Sequence, residues 1–181
     1  MTSQGASAAR VARMPPSERF VDALNAQIGR EYAAAHQYTA IAVWYDAETY
    51  PRLAQFFHAQ AAEERDHASK MTTYLVESGQ AVRLGAVAAP VNDFPDHVEP
   101  IRLALEQERT VTVEIGRLLD IARETRDYAS EVFLQWFVTE QVEEEDSIGS
   151  LLQVAERTRE SPMMLEEWLA RGDHAPAAEG A

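Results

Sequence analysis

The sequence predicts an all-α protein, a four-helix bundle with one long crossover (up-down-down-up) plus a short fifth C-terminal helix. Four segments carry an apolar 4-3 repeat, which places the repeated residues on one helix face. The links within the first and last pairs are short, whereas the middle link has about 16 residues. Each repeat also contains a carboxylate near its middle. The first two observations predict the bundle, and the third predicts a site inside it.

The four repeats share one form, with apolar residues on both sides of a central polar layer. Their members are Leu24, Ile28, Glu31, Ala35, Tyr38, Ala42 and Tyr45; Leu53, Phe57, Gln60, Glu64, His67, Met71 and Tyr74; Ile101, Leu105, Glu108, Thr112, Ile115, Leu119 and Ala122; and Leu134, Phe137, Gln141, Glu144, Ile148, Leu151 and Ala155.

Local signals set the ends of the first two helices. Ser17 is the predicted N-cap of a helix that starts at Glu18 and runs to about Ala47. The second helix contains Pro51 in its first turn and runs to about Ser78, where Gly79 ends it.

The remaining helices follow the same logic. The third is predicted over about 96–124, and the fourth extends from Asp127, its N-cap, to about Glu160. Ser161 and Pro162 begin the fifth, which Gly172 closes. We therefore divide the chain into a disordered tail over residues 1–16, one bundle domain over 17–172 and a flexible tail over 173–181.

The middle link, from Gln80 to Pro95, is long enough to span the bundle. Extended, it reaches roughly 50 Å at ~3.3 Å per residue. A helix of about 29 residues measures about 44 Å. The second and third helices can therefore run parallel, which gives the up-down-down-up order.

Composition narrows the class of protein. The 181 residues are 46% hydrophobic, which suits one domain with a sizeable core. The net charge of −14 argues against nucleic-acid binding and suits cations as ligands. The absence of cysteine excludes thiolate zinc and iron–sulfur sites and fits a cytoplasmic protein. No apolar run approaches the roughly 18 residues of a membrane span, so no membrane partner is expected.

The central carboxylates predict a di-metal centre. Glu31, Glu64, Glu108 and Glu144 lie near mid-helix, so they meet at one depth whichever way the helices run. An unpaired buried charge costs several kcal/mol, and two divalent cations would balance the set. Glu64 and His67 form a Glu-x-x-His pair on one face. Imidazole with carboxylates suits iron or manganese. The alternative is a hydrogen-bonded polar layer without metal.

The fourth helix departs from the symmetrical arrangement of di-iron bundles, which carry Glu-x-x-His on two helices. Here Gln141-x-x-Glu144 stands in that place. The second metal therefore has fewer protein ligands and no imidazole. We interpret it as a site through which metal passes, not as a permanently held cofactor.

At these positions the chain resembles the prokaryotic non-haem ferritins, members of the ferritin-like di-iron family. The resemblance covers about residues 17–171 and rests on four segments, one from each long helix: QIGREYAAAHQY, AEERDH, LEQERTVT and LQWFVTEQVEEE. Bacterioferritins carry His at the position of Glu144 and a haem-ligating Met where this chain has Arg65. No haem is therefore expected.

The resemblance implies a role for each ligand. The first iron would be held by Glu31, Glu64 and His67. Glu64 would bridge to a second iron held by Glu108 and Glu144, with Gln141 beside a ligand. A third, outer iron site would use Glu63, Glu140 and Glu143, for which a solvated acidic face is the alternative. Tyr38 and Trp136 match aromatic residues beside the centre, and simple core packing is the alternative for both.

The resemblance also implies a function. Fe(II) would be oxidised to Fe(III) by dioxygen or peroxide, and ferric mineral would be stored in a hollow 24-subunit homo-oligomer. The fifth helix would line the fourfold axis, and Glu131 would supply a negative ring at the threefold pore, near Leu134. The rivals are a di-iron oxidoreductase acting on peroxide or an organic substrate, and a scaffold whose carboxylates only nucleate mineral. His36, His58, His97 and His174 are expected at the surface.

Overall fold

The structure, a computed structural model, describes residues 15–172 as five helices without a strand. The helices are α1 (Glu18–Ala47), α2 (Pro51–Glu77), α3 (Glu99–Glu124), α4 (Tyr128–Arg157) and α5 (Pro162–Ala170). The predicted all-α fold is confirmed. The tails predicted over 1–16 and 173–181 lie outside the described residues, apart from Pro15 and Pro16.

The predicted helix ends agree closely with the structure. The side chain of Ser17 accepts a hydrogen bond from Phe20 N at 3.2 Å, and Asp127 caps α4 in the same way. Gly79 and Gly172 adopt φ angles of +72° and +74° just after α2 and α5. Such left-handed residues end helices, and glycine adopts them without steric cost.

Two predicted boundaries differ. Helix α3 begins at Glu99, not at Asp96, because the Asp96 side chain accepts hydrogen bonds from the backbone N–H groups of Val98 and Glu99. Asp96 therefore holds the turn before the helix. Helix α4 ends at Arg157, short of Glu160, and a turn then leads into α5.

Contacts between helix ends fix the topology. At the start of α1, the ring of Phe20 lies 6.4 Å from that of Tyr74, near the end of α2. Arg19 pairs with Glu124 at the end of α3 at 2.6 Å. Arg102, early in α3, pairs with Glu156 at the end of α4 at 2.7 Å. Helices α1 and α4 therefore run one way, and α2 and α3 run the other, which is the predicted up-down-down-up order.

The long link crosses the bundle beside α1. Asn25 accepts a hydrogen bond from Arg83 N at 2.6 Å, near the start of the link. Further along α1, Gln37 bonds both backbone groups of Val91, and the Tyr45 hydroxyl donates to the His97 carbonyl at 2.7 Å. The link therefore advances in step with α1 and delivers the chain to the start of α3.

The expectation from the sequence is wrong for one histidine. His97 is only 7% exposed, packed beside Tyr50 with ring centres 5.8 Å apart, so the expectation that it lies at the surface is wrong. It sits where the crossover turns into α3, and no periodic pattern marks that turn. His36 and His58 are exposed as expected, and His174 lies outside the described residues.

The core consists of two apolar clusters that flank a polar layer. One contains Tyr38, Tyr45 and Phe57, and the other contains Phe20, Met71 and Leu75. Most residues of the four predicted repeats are buried. Thr112 and Leu119 are only half-buried, and the neighbouring Val111 and Leu118 are buried instead. A straight helix drifts relative to a strict 4-3 repeat, which explains this shift in α3.

A buried carboxylate attaches α5 to the bundle. Glu166 is 6% exposed and accepts hydrogen bonds from Arg52 N at 2.9 Å and Leu53 N at 3.0 Å, in the first turn of α2. Free N–H groups and the helix dipole both favour an anion at that position. None of the helices within residues 15–172 is long and apolar enough to cross a membrane.

We expect Glu166→Ala to destabilise the protein by about 2 kcal/mol, because two buried backbone donors lose a charged acceptor. Amide hydrogen exchange should accelerate at Arg52 and Leu53. The matched control is Glu167→Ala, since Glu167 is the exposed neighbour on the same short helix. Equal effects of the two substitutions would show that Glu166 does not anchor α5.

Candidate metal centre

The polar layer between the two apolar clusters brings the five central ligand candidates together. The carboxylates of Glu31, Glu64, Glu108 and Glu144 and the imidazole of His67 are all at most 5% exposed. Each comes from the middle of a long helix, so the bundle itself holds them at one depth. The structure thus places the predicted residues in one buried site.

The tightest group is formed by Glu31, Glu64 and His67. One ligand atom from each lies within 4.8 Å of the others, and His67 Nδ1 is 3.4 Å from Glu64 Oε2. Within residues 15–172, no N–H or hydroxyl group donates to Glu31 Oε2 or Glu64 Oε2, although both atoms are buried. Buried polar atoms are almost always partnered. Two such oxygens beside an imidazole nitrogen therefore fit a cation.

A second group overlaps the first. His67, Glu140 and Glu144 also place one ligand atom each within 4.8 Å of the others, with His67 Nε2 3.9 Å from Glu140 Oε1. The imidazole therefore lies between two clusters of carboxylates. Glu140, which the resemblance assigns to the outer site, is placed here with two residues of the centre.

Glu108 is engaged by donors from two other helices. The Tyr38 hydroxyl donates to Glu108 Oε1, and Gln141 Nε2 lies 3.2 Å from Glu108 Oε2. Gln141 is also 3.3 Å from the Thr112 hydroxyl, which donates to Glu145 Oε1 at 2.6 Å. Tyr38 and Gln141 thus orient the carboxylate that the sequence predicts for the second metal.

The three carboxylates predicted for the outer site occupy different surroundings. Glu63 is half-buried and accepts a hydrogen bond from Gln60 Nε2, Glu140 lies with His67 and Glu144, and Glu143 is exposed. Gln60 also favours the ionised form of Glu144, so its side chain links the centre electrostatically to Glu63. The outer site remains a prediction.

Burial controls the protonation of this centre. It raises the pKa of Glu144 to about 9, with further repulsion from Glu108 and Glu63, and it raises the pKa of Glu64 well above its ordinary value. The pKa values of Glu31 and Glu108 are raised for the same reason. Without a cation the cluster therefore retains protons near neutral pH, and metal binding must displace them.

The imidazole is prepared for metal binding. Burial lowers the pKa of His67 to about 4, so the ring is neutral at physiological pH, the form that binds metals. Its plane is held by aromatic neighbours: Trp136 and Phe137 meet it edge-on at 5.4 and 6.0 Å. Lys70 Nζ lies 3.8 Å from the centre of the Trp136 ring. Trp136 thus contacts the centre through His67, and a role for it beyond packing stays a prediction.

The sequence assigned no role to two buried glutamines that bond the ligands. Gln27 Nε2 donates to Glu31 Oε1 at 2.8 Å, and Gln60 Nε2 donates to Glu63 and favours the ionised form of Glu144. Gln27 precedes Glu31 by four residues, a spacing that brings side chains together on a helix. Gln60 even stands in the central layer of its repeat. The spacing of Gln27 and the position of Gln60 are both visible in the sequence. Glutamine is common on helices, however, so neither feature by itself indicates a contact with a ligand.

The predicted pore residue lies at the start of α4. Glu131 is half-buried and accepts a hydrogen bond from Arg123 Nε at 2.9 Å. Leu134 is fully buried in the core. The part Glu131 plays in a pore depends on neighbouring subunits and remains a prediction.

Known proteins share both the sequence pattern and the fold. A family model described as the ferritin-like domain matches residues 21–158. The chain is 42% identical over 167 residues to the ferritin BfrB of Mycobacterium tuberculosis, covering 92% of each sequence. It is 44% identical over 129 residues to the bacterial non-heme ferritin of Staphylococcus aureus, covering 71% of this chain and 78% of that protein. An open-pore ferritin from Archaeoglobus fulgidus superposes with a TM-score of 0.82 at 32% identity, covering 85% of this chain and 96% of the other.

Proposed function

Since this chain belongs to the ferritin family, we propose that it stores iron by oxidising Fe(II) at the buried centre and keeping the ferric product inside a hollow 24-subunit shell. The observation that carries the proposal is the buried group of Glu31, Glu64 and His67, with two carboxylate oxygens that no N–H or hydroxyl group within residues 15–172 bonds. Iron is the substrate and cargo here.

The chemistry needs little from the protein beyond binding and charge. Two Fe(II) ions each give up one electron, and dioxygen or peroxide accepts both. The carboxylates stabilise the higher charge of the ferric product. The protons that they lose on binding Fe(II) are available to the reduced oxidant. His67 supplies a neutral nitrogen ligand, and no general base is required.

The arrangement around His67 supports passage of iron through the centre. Glu140 and Glu144 lie on its far side, and the half-buried Glu63, which Gln60 bonds, is near enough to raise the pKa of Glu144. Carboxylates thus continue from the buried group towards the surface of α2 and α4. Weakly held ferric product would leave along this series of carboxylates. The centre has a single imidazole, so the second metal lacks a nitrogen ligand and is released more easily. The outer site at Glu63, Glu140 and Glu143 would be the last site to bind the ferric product before it enters the interior of the shell.

Assembly into a shell draws its support from the relatives. The proteins that the chain resembles over most of its length are named ferritins, and the likeness to the A. fulgidus ferritin extends over 96% of that chain. In such a shell, α5 would lie at the fourfold axis and Glu131 at the threefold pore.

The proposal is tested by Fe(II) loading of Glu108→Gln beside Glu106→Gln. Both residues lie on α3, but Glu108 is 1% exposed in the centre and Glu106 is at the surface. Wild type and Glu106→Gln should bind about two Fe(II) per subunit without air and oxidise them rapidly on exposure. Glu108→Gln should oxidise them much more slowly. Sedimentation and electron microscopy should show large shells with dense cores.

Each rival makes a different prediction for the same experiment. A passive scaffold would mineralise equally slowly in all three proteins. A retained di-iron oxidoreductase would bind iron without forming a core. A cleft of about 430 Å³ is lined by Lys70, Tyr74, Phe133, Trp136 and Phe137, and none of the five central ligand candidates lines it. An organic substrate bound in this cleft would therefore meet the aromatic residues beside His67 and not the carboxylates themselves.

A further inference from the structure

We propose that Gln27 is a positioning residue that makes Glu31 a ligand through a single oxygen, and that a chain of polar contacts from the surface of α3 holds Gln27 in place. The inference rests on the proposed function, because it takes Glu31 as an iron ligand. It concerns a residue outside the apolar repeats and outside the ligand set.

The two carboxylate oxygens of Glu31 have different surroundings. Oε1 accepts a hydrogen bond from Gln27 Nε2 at 2.8 Å, whereas Oε2 receives no N–H or hydroxyl donor within the described part of the chain. Glu31 is 1% exposed, so water does not compensate freely. One oxygen is therefore committed to the amide, and the other is left facing Glu64 and His67.

The amide of Gln27 is itself held in one orientation. Gln27 is fully buried, and its Oε1 accepts a hydrogen bond from Arg30 Nη1 at 3.2 Å. A guanidinium can only donate and an ionised carboxylate can only accept. Between Arg30 and Glu31 the amide can satisfy both partners in one orientation only. The donor end is therefore fixed on Glu31.

Arg30 connects Gln27 and Glu31 to another helix. Arg30 is about half-exposed and lies 3.5 Å from Glu114 Oε2 on α3, and Glu114 also accepts a hydrogen bond from Arg117. Arg30 is thus held from outside the core, and its charge also favours the ionised form of Glu31. The chain Glu114–Arg30–Gln27–Glu31 runs from the surface to the metal centre.

The hydrogen bond from Gln27 limits the number of Glu31 oxygens that can bind the metal. A free carboxylate can rotate and bind a cation through both oxygens, which raises the coordination number and holds the ion differently. Outer partners of this kind typically contribute 10- to 100-fold to metal affinity. Gln27 should therefore determine both the affinity and the coordination geometry of the first metal.

The test uses Co(II), whose visible absorption reports coordination number, on metal-free assembled protein under anaerobic conditions. Gln27→Met keeps the length of the side chain and removes the amide. We expect the first equivalent of Co(II) to bind about 10-fold more weakly. Its visible bands should also weaken, because a freed Glu31 adds a second oxygen and higher-coordinate Co(II) absorbs less.

The matched control is Gln37→Met. Gln37 is also a buried glutamine on α1, but its amide bonds the backbone of Val91 in the crossover, away from the centre. This variant should keep the wild-type Co(II) affinity and spectrum even if its melting temperature falls as much as that of Gln27→Met. An equal spectral change in both variants would overturn the inference.

Arg30→Met provides a second test that leaves Gln27 and the core packing in place. The amide is then free to turn, so the same spectral change should appear with a smaller loss of affinity. Suppose that Glu31→Gln abolishes the first site, but Gln27→Met and Arg30→Met both keep the wild-type spectrum and affinity. That result would overturn the positioning role of Gln27. If Glu31→Gln leaves Co(II) binding unchanged, the inference fails together with the proposed function.

Discussion

Glu64→Gln is expected to abolish rapid Fe(II) oxidation and, at the same time, to raise the apparent melting temperature of the metal-free protein. The carboxylate is 2% exposed and lies between Glu31, Glu108 and Glu144, all acidic. Its site is therefore unfavourable for a negative charge unless a cation is present. An amide of the same shape cannot ionise and can donate a hydrogen bond to the neighbouring carboxylates.

The size of the two effects follows from the position of Glu64. As the predicted bridge it would contact both metals, so we expect oxidation to slow by about 100-fold or more, beyond the usual effect of removing an outer partner. Without metal this carboxylate costs the fold free energy, whether it is ionised among like charges or held protonated at a pH above its ordinary pKa, so the amide should stabilise the fold by on the order of 1 kcal/mol or more. The measurements are stopped-flow oxidation of two Fe(II) per subunit and thermal unfolding without metal.

Asp66→Asn is the appropriate control, because Asp66 is an exposed carboxylate two residues further along α2. It should leave both quantities near their wild-type values. Glu64→Gln with normal oxidation would contradict the assignment of Glu64 as a ligand. Glu64→Gln with a lower melting temperature would contradict the view that the centre stores unfavourable charge for function.

The periodic parts of this molecule were predictable, and the parts that depend on a single contact were not. Helix ends followed from Ser17, Gly79 and Asp127, since caps and left-handed glycines act locally. The central carboxylates were identifiable because a charge inside an apolar repeat conflicts with burial. Such conflicts between local rules mark functional sites.

The errors have equally local causes. Asp96 looked like the first residue of α3 but bonds the backbone just before it. His97 is buried by the end of the crossover, a segment with no repeat to read. The closeness of Glu140 to His67 was not foreseen either, although its assignment to the outer site stays a prediction, because that closeness depends on the rotation of α4 relative to α2. Spacing along one helix does not determine that rotation.

Metal binding should release protons, and the metal-free protein should become less stable as the pH rises. Burial raises the pKa of Glu144 to about 9 and that of Glu64 well above its ordinary value of 4.5. Above pH 4.5 the folded state therefore binds more protons than the unfolded state, so the stability that these groups contribute is lost as the pH rises towards about 9. His67 has a pKa of about 4 and releases nothing near neutrality.

Titration calorimetry with Zn(II), which undergoes no redox change, can count the protons when it is repeated in buffers of different ionisation enthalpy at pH 7. We expect one or more protons to leave per subunit, and the stabilisation by Zn(II) to grow from pH 6 to pH 8.5. The net charge of −14 also destabilises the fold at high pH, so the slope alone does not identify the groups responsible.

Glu144→Gln separates the two causes, because it removes one titrating group from the centre and changes the surface charge little. A flatter pH dependence in this variant, with fewer protons released, would locate the effect in the buried carboxylates. An unchanged slope and proton count would place it at the surface and would mean that the centre is already ionised before metal binds.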